Sequence, residues 1–222
     1  MAIDHVKITY SLFIFFILRS LKLNQGRIMS EQNLSNKVDL FAFESRSVFL
    51  TGPVEAELAL RINRELLALE KANSAAPIIM WINSPGGEVY SGFSIYDTIQ
   101  FIKPKVITII SGMAASMGSV ISLAAEKENR FMFPRSKILL HQPLIGGTIT
   151  GPASDIAIHA KDIIDLKHKM HALYSERTGI PKERYEEMME RDRWVSPEEA
   201  ISLGLVSKVI SSRAELEKLV SP

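Results

Sequence analysis

Hydrophobic and polar positions along the chain form blocks that predict strands followed by helices. The apolar segment 47–52 (SVFLTG) predicts a short strand, and residues 55–71 repeat apolar side chains at helical spacing. On that helix the apolar stripe consists of Leu58, Ile62, Leu66 and Leu69. The two segments together predict one βα unit.

Two further strand and helix pairs follow. Residues 77–82 (PIIMWI) form an unalternated apolar run, typical of a strand buried on both faces, and the helical pattern of residues 88–103 comes next. Residues 105–111 (KVITIIS) and 114–126 repeat this order. The alternation predicts an α/β fold with a mainly parallel sheet and right-handed crossovers. Ligands of such sheets meet the carboxyl ends of the strands, so the chemistry is expected there.

The remainder of the chain departs from this order. Residues 130–133 (RFMF) and 137–140 (KILL) predict short strands, and a loop with three glycines follows. A helix is predicted over residues 153–178, ended by Gly179 and Pro181. A helix of about 25 residues is long for a small domain, so we expect it to contact another subunit. Its apolar positions are Ile156, Ile163, Leu166, Met170 and Leu173.

Composition excludes several classes of function. The chain has 222 residues, 46% of them hydrophobic, enough for one large domain or two small ones. A formal net charge of +1 argues against a dedicated nucleic-acid binder. The absence of cysteine excludes disulfides, Cys-ligated zinc and a thiolate nucleophile, and is consistent with a reducing compartment. We expect a cytoplasmic protein, and no metal site is predicted.

The N-terminal region is set apart from the fold. Residues 8–18 are apolar, but a bilayer-spanning helix needs about twenty such residues, so membrane insertion is not expected. Residues 1–28 are interpreted as an extension from a mis-called start, as a targeting segment, or as a membrane or partner contact. Residues 29–46 then form a partly flexible N-terminal segment, and residues 47–222 form the main domain.

Ser116 is the first candidate for chemistry. It lies among small residues at a predicted strand-to-helix turn, where the N–H groups of a first helical turn favour negative charge. Small neighbours such as Ala114, Ala115 and Gly118 would let a substrate backbone come close. The alternative is that Ser116 only caps the helix, a frequent role of serine.

The glycine-rich turn at residues 83–87 (NSPGG) is the second candidate. Its glycines permit backbone orientations closed to other residues, so that an N–H group can point outward. One N–H from this turn and one from Met117 would hold a tetrahedral oxyanion. The alternative is an ordinary turn without chemistry.

A nucleophilic serine needs a base. Among the five histidines, His141 ends the strand predicted at residues 137–140, where a side chain is presented from a rigid element. His159, His168 and His171 fall in the long helix and are interpreted as solvated or interface residues; His168 and His171 lack the carboxylates that a metal site would need.

An orienting acid is harder to choose from the pattern, because 25 acidic residues compete. Asp192 precedes a predicted strand, and the alternative is a surface ion pair with Arg191 or Arg193.

These motifs, taken together, resemble the proteolytic subunit of the ATP-dependent Clp protease. Five motifs follow in the order and spacing of that family: INSPGGEVYSGFSIYDTIQFIKP, GMAASMGS, ILLHQPLIGG, GPASDIAIHAKDI and ERDRWVSPEEAISLGLV. The resemblance implies Ser116 as nucleophile, His141 as general base and Asp192 as orienting acid. It also implies Gly87 and Met117 as the backbone donors of the oxyanion hole.

The resemblance further implies a ClpP/crotonase-like spiral of βα units with a protruding handle, here residues 144–178. Family members form two stacked heptameric rings, of one chain or mixed with a paralogue, and Glu190 and Arg191 would contact the opposite ring. Unfolded proteins would be delivered by a AAA+ Clp ATPase of the ClpX or ClpA type. The partner would use the ATP, and this chain would bind no cofactor.

Two other functions stay open at this level. A crotonase-like acyl-CoA hydratase or isomerase shares the paired-amide oxyanion hole, but usually has a glutamate base. The chain could also be a structural paralogue that supplies contacts in a mixed ring. The intact Ser116, His141 and Asp192 favour an enzyme.

Overall fold

The computed structural model describes Leu34 and residues 36–220. The extension predicted at residues 1–28 lies outside the described residues, as does part of the segment predicted at 29–46. The chain divides into two units, Met1–Ser45 and Arg46–Pro222. In the first unit residues 36–44 form a helix, α1.

The second unit alternates strands and helices along its N-terminal half, as the hydrophobic pattern predicted. Its described elements, in chain order, are β1 Ser47–Thr51, α2 Ala56–Ala72, β2 Ile78–Ser84, α3 Val89–Phe101, β3 Val106–Ala115, α4 Met117–Ser122, β4 Arg130–Met132, β5 Lys137–Leu140, α5 Ala153–Thr178, α6 Lys182–Met188, β6 Arg193–Val195, α7 Pro197–Ser202, β7 Lys208–Val209 and α8 Arg213–Val220.

The sheet is mainly parallel, which confirms the predicted α/β class. Strands β1, β2, β3, β4 and β7 are neighbours in that order, and all these pairs are parallel. Beyond the end of β4, the last residues of β3 pair with β5, also in parallel. Among the strands of the described part of the chain, only β6 runs antiparallel, against β5. The centre of the sheet is therefore β3, the strand that leads to Ser116.

Strand β3 is longer than predicted. The sequence predicted a strand over residues 105–111 and a turn directly after it, but the strand continues to Ala115. It continues because the Met113–Ala115 segment has its own partner in β5, and because the Asn83 side chain accepts the Met113 N–H at 3.2 Å. Helix α4, predicted over residues 114–126, is correspondingly short.

The two faces of the sheet are covered differently. Alternate residues of β2, such as Ile78 and Met80, point into a large cluster formed with α2, α3, α4 and the end of α5. The residues between them, Ile79 and Trp81, face a smaller cluster that includes Leu216 of α8. This period of two is the expected geometry of a strand buried on both sides.

Helix α5 has the predicted bounds, residues 153–178. Gly179 ends it in the left-handed conformation (φ +82), which a residue without a Cβ adopts at no steric cost. Its first buried residue is Leu166, so the helix protrudes for its first three turns and joins the core over its second half. The handle predicted at residues 144–178 comprises this helix and the loop before it.

Candidate active site

Ser116 lies at the turn between β3 and α4, in an uncommon backbone conformation. Its φ is +51 and its ψ is −121, whereas residues with a side chain normally avoid positive φ. The Ser116 N–H donates to Leu139 O at 3.0 Å, which continues the β3–β5 ladder to the serine itself. Such strain, of about 1–3 kcal/mol, collects at functional sites.

The Ser116 hydroxyl does not cap the helix. Ser116 occupies the N-cap position of α4, but its side chain makes no capping hydrogen bond. Its backbone carbonyl accepts the helix's first N–H bonds, from Ser119 at 2.9 Å and Val120 at 3.2 Å. The capping alternative is therefore wrong for the side chain, and the hydroxyl is left available for another role.

The glycine-rich turn after β2 lies directly against Ser116. A Cβ built on Gly86 would be 2.6 Å from Ser116 Cβ, 2.7 Å from Ala115 O and 3.0 Å from Met117 N. Gly86 has φ +88, and its N–H donates to the buried Ser84 hydroxyl at 3.1 Å. The turn therefore does more than connect a strand to a helix, because it lies against the peptide groups on both sides of Ser116.

The Gly87 peptide is held in this turn by a bridge to Val54. Gly87 forms a parallel bridge with Val54, in which Val54 bonds to Gly86 O and to the Glu88 N–H. In a parallel bridge the groups of the central residue face away from the partner. The Gly87 N–H therefore takes no part in the bonds to Val54.

The Met117 N–H is the second amide at this place. As the first residue of α4, Met117 has an N–H group without an acceptor in the helix's own ladder. The Gly86 contact at 3.0 Å places this nitrogen beside the glycine turn. The geometry thus brings the two predicted donors, Gly87 and Met117, to the same turn.

His141 and Asp192 are brought together by strand register. Antiparallel β5 and β6 pair Ile138 with Val195 and Leu140 with Arg193, and the next pair in this register is His141 with Asp192. His141 Nδ1 lies 3.8 Å from Asp192 Oδ1, an ion-pair distance too long for a hydrogen bond. The His141 side chain is 16% exposed and that of Asp192 72% exposed.

Gln142 fixes the backbone after His141. Its N–H donates to Met189 O at 2.8 Å, and its side-chain amide donates to Glu190 O at 3.0 Å. These bonds join the two chain segments that carry the imidazole and the carboxylate. The sequence interpretation missed this role, although the glutamine directly follows the candidate base.

Ser116 and His141 leave the sheet at the same edge. Ala115 pairs with Leu139 in parallel β3 and β5, so the two candidate residues follow the last paired positions of neighbouring strands. Within residues 36–220, Ser116 Oγ makes no hydrogen bond, to His141 or to another group. Catalytic contacts are often long before substrate binds.

The three helix histidines differ in their surroundings. His159 and His168 are exposed, as predicted for solvated residues, but His171 is fully buried and its two ring nitrogens have no hydrogen-bond partner. The interpretation of His171 as a solvated residue is therefore wrong, because residue 171 shares the inner face of α5 with Met170 and Tyr174. Burial lowers its pKa, and Glu186, 3.9 Å away, opposes that shift.

Glu190 and Arg191 lie next to the catalytic candidates on the segment before β6. Glu190 forms an ion pair with Lys167 of α5 at 3.0 Å, and the Lys167 hydrogen bond lowers the pKa of Glu190. Arg191 is exposed. The contact of both residues with an opposite ring stays a prediction, and Glu190 is already paired within the chain.

Within residues 36–220 no group of three or more His, Cys, Asp or Glu side chains is placed to hold a metal ion. In the same part of the chain, none of the helices combines the length and the apolar character needed to cross a membrane.

Comparison with known families covers most of the chain. Residues 30–213 match the family model described as Clp protease. The matched span contains every element from β1 to α7 and each of the candidate residues Ser116, His141 and Asp192.

Proposed function

The chain belongs to the Clp protease family as a ClpP-type peptidase, and from this premise we propose that it is a serine endopeptidase that uses Ser116, His141 and Asp192. The observation that carries the proposal is the uncapped hydroxyl of Ser116 at φ +51, at the sheet edge where His141 also emerges. A serine with only a structural role would gain nothing that offsets the strain of its backbone, because its hydroxyl makes no hydrogen bond.

The proposed reaction is acyl transfer. Ser116 Oγ attacks the carbonyl carbon of a peptide bond while His141 accepts the hydroxyl proton. Because Nδ1 of His141 faces Asp192, the other ring nitrogen, Nε2, is the one left to take this proton. The carbonyl oxygen becomes an oxyanion, which accepts hydrogen bonds from the Gly87 and Met117 N–H groups.

Collapse of the tetrahedral intermediate breaks the peptide C–N bond, and the leaving amine takes the proton from His141. Water then attacks the Ser116 ester, with His141 as base again, and releases the second product. Asp192 keeps the imidazole in the tautomer that accepts the serine proton.

The proposed biological setting follows from the family. We expect two stacked heptameric rings, of this chain alone or with a paralogue, with the protruding half of α5 between the rings. A AAA+ Clp ATPase would deliver unfolded proteins, in the cytoplasm. A native mass of about fourteen subunits would support the ring arrangement, and a monomer would contradict it.

The test of the nucleophile is Ser116→Ala, with Ser122→Ala as the matched control. Ser122 is a buried serine of the same helix whose hydroxyl donates to Ser119 O at 2.7 Å. We expect Ser116→Ala to abolish cleavage of fluorogenic peptides and labelling by a fluorophosphonate, while the control keeps both. Retained cleavage by assembled Ser116→Ala would disprove the assignment.

The same labelling experiment addresses the two alternatives. A structural paralogue without activity would give no fluorophosphonate adduct on Ser116. A crotonase-like enzyme has lost its support, because the matching family model is that of a protease.

A further inference from the structure

A chain of buried hydroxyls links α5 to the peptide group that follows Ser116. The Tyr174 hydroxyl on α5 forms a short hydrogen bond with Ser119 Oγ on α4. Ser119 Oγ in turn donates to the carbonyl oxygen of Ser116 at 2.6 Å. We call these three groups the hydroxyl relay.

The direction of the relay follows from counting protons. The Ser116 carbonyl has no proton, so the single hydroxyl proton of Ser119 is used for that bond. Ser119 Oγ must then accept from Tyr174, whose phenol is the only proton source in this pair. The relay therefore runs from Tyr174 to Ser119 to Ser116.

The relay acts on a peptide plane that carries a candidate oxyanion donor. The Ser116 carbonyl and the Met117 N–H belong to one planar trans peptide, so they point in opposite directions. Three donors hold the carbonyl oxygen, namely the Ser119 N–H, the Val120 N–H and the Ser119 hydroxyl. Fixing this oxygen fixes the direction in which the Met117 N–H points, away from α5.

We propose that Ser119 and Tyr174 are positioning residues that aim the Met117 N–H into the oxyanion hole. The proposal rests on the proposed function, because it assumes that Ser116 is the nucleophile and Met117 a donor to the oxyanion. Neither side chain touches substrate in this account. Both act through the orientation of one peptide group.

The surroundings of Tyr174 support a fixed donor. Tyr174 is fully buried, and its ring packs against that of Tyr185, with centroids 5.1 Å apart. Burial raises the pKa of the Tyr174 phenol well above its usual range, so the group keeps its proton at any pH at which the protein works. A buried hydroxyl is also costly to leave without a partner, which holds the relay together.

The strained conformation of Ser116 requires contacts that hold the peptide plane between Ser116 and Met117 in place. A residue with a side chain at φ +51 is strained, and strain persists only where surrounding contacts over-determine the geometry. The two helical N–H bonds at 2.9 and 3.2 Å tie the carbonyl to α4 alone. The relay adds a restraint from α5, which is a different element of the core.

The test uses two matched pairs of variants. Tyr174→Phe removes the relay's donor, and Tyr185→Phe removes an equally buried phenol that donates to Thr178 Oγ1 at 3.0 Å. Ser119→Ala removes the middle hydroxyl, and Ser122→Ala serves as its control within the same helix. Each pair deletes the same atoms from the same core, so general effects on stability are matched.

We expect both relay variants to lower kcat for a fluorogenic peptide about tenfold, less than the 100- to 1000-fold typical of a lost donor. KM should stay within about twofold, because the ground-state substrate does not use the oxyanion hole. Affinity for a peptide boronate, which resembles the tetrahedral intermediate, should fall by the same factor as kcat. The two controls should match the wild type in all three measurements.

Equal kcat in relay variants and their controls would overturn the inference, as would a fall in kcat with unchanged boronate affinity. The Ser116→Ala variant distinguishes failure of the proposed function from failure of the positioning role. If it still cleaves peptides, the proposed function itself fails. If it is inactive while Tyr174→Phe and Ser119→Ala behave like their controls, only the positioning role is wrong.

Discussion

Replacing Gly86 by alanine tests whether the glycine turn sets the geometry of Ser116. Gly86 has φ +88, and the added Cβ would be 2.6 Å from Ser116 Cβ and 2.7 Å from Ala115 O. Real Cβ atoms essentially never approach heavy atoms this closely. The neighbours are a Cβ and a backbone oxygen, so the contact cannot be relieved by turning a flexible side chain. The turn around Ser116 must move.

Gly52 supplies the matched control. Its φ is +92, close to that of Gly86, but a Cβ built there meets no atom within 4 Å. Both substitutions place alanine in a left-handed conformation, which costs about 1–2 kcal/mol of stability. The difference between the two variants therefore isolates the contact with the serine turn.

The expected loss of activity follows from the distance to be gained. Ordinary van der Waals contact begins at 3.4 Å, so the serine turn must retreat by roughly 0.8 Å from the new methyl group. A misplacement of about 1 Å at a catalytic group costs about 100-fold in rate. We expect kcat/KM of Gly86→Ala to be about 100-fold below that of Gly52→Ala.

The assay is cleavage of a fluorogenic peptide by both variants, at matched concentrations of assembled protein, with thermal unfolding recorded in parallel. Similar unfolding temperatures and a large difference in kcat/KM would support the geometry described for the active site. If the two variants cleave the peptide at the same rate, the reasoning is wrong and the glycine turn does not constrain Ser116.

Three other perturbations probe the charged groups. Asp192→Asn should lower kcat by about 100-fold or more with little change in KM, because the imidazole loses the acid that selects its tautomer; an unchanged kcat would contradict this role. Arg130→Met should reduce the free energy of unfolding by about 3 kcal/mol in urea titrations, because the buried guanidinium donates to the carbonyls of two loops and of the last turn of α5. A loss below about 1 kcal/mol would contradict this role. His171→Leu should reduce the loss of folding stability that occurs as the pH falls. The folded pKa of His171 lies below its ordinary 6.5, so the unfolded chain takes up the proton first and wild-type stability falls as the pH drops through that window. The Tm of the variant minus the Tm of the wild type should therefore increase from pH 7 to pH 5. Parallel curves of Tm against pH would refute the burial argument.

The parts of the fold that the sequence predicted are those set by local pattern. Helix α5 agrees with its predicted bounds because Gly179 and Pro181 end it by local geometry. Strand β2 forms where it was predicted, although it continues to Ser84, because an unalternated apolar run has few other stable conformations in a core. These features depend on residues within a few positions of each other.

The parts that the sequence missed depend on contacts distant along the chain. The extra length of β3 depends on β5, which lies more than twenty residues later, and on the side chain of Asn83. The relay between Tyr174 and Ser119 joins positions 55 residues apart, and a tyrosine in a helical stripe looks like an ordinary core residue. The burial of His171 has the same cause, since only packing decides which face of α5 meets the core.

The candidate active site lies between these extremes. Ser116, His141 and the glycine turn were recognisable because each stands at the end of an apolar strand. Asp192 was chosen by resemblance, and the register of β5 with β6 gives its position a physical basis that no single segment contains.

That register has a consequence for how the molecule tolerates variation. His141 and Asp192 are neighbours across one antiparallel pair, although the whole of α5 and α6 lies between them along the chain. Insertions or deletions in the segment between His141 and Asp192 can reshape the protruding region without changing the spacing of imidazole and carboxylate. A slip of a single residue in the short β5–β6 pair, by contrast, would turn the carboxylate to the opposite face of the sheet. The three residue pairs between β5 and β6 thus keep the spacing of His141 and Asp192 independent of the length of the protruding region, which would meet the second ring.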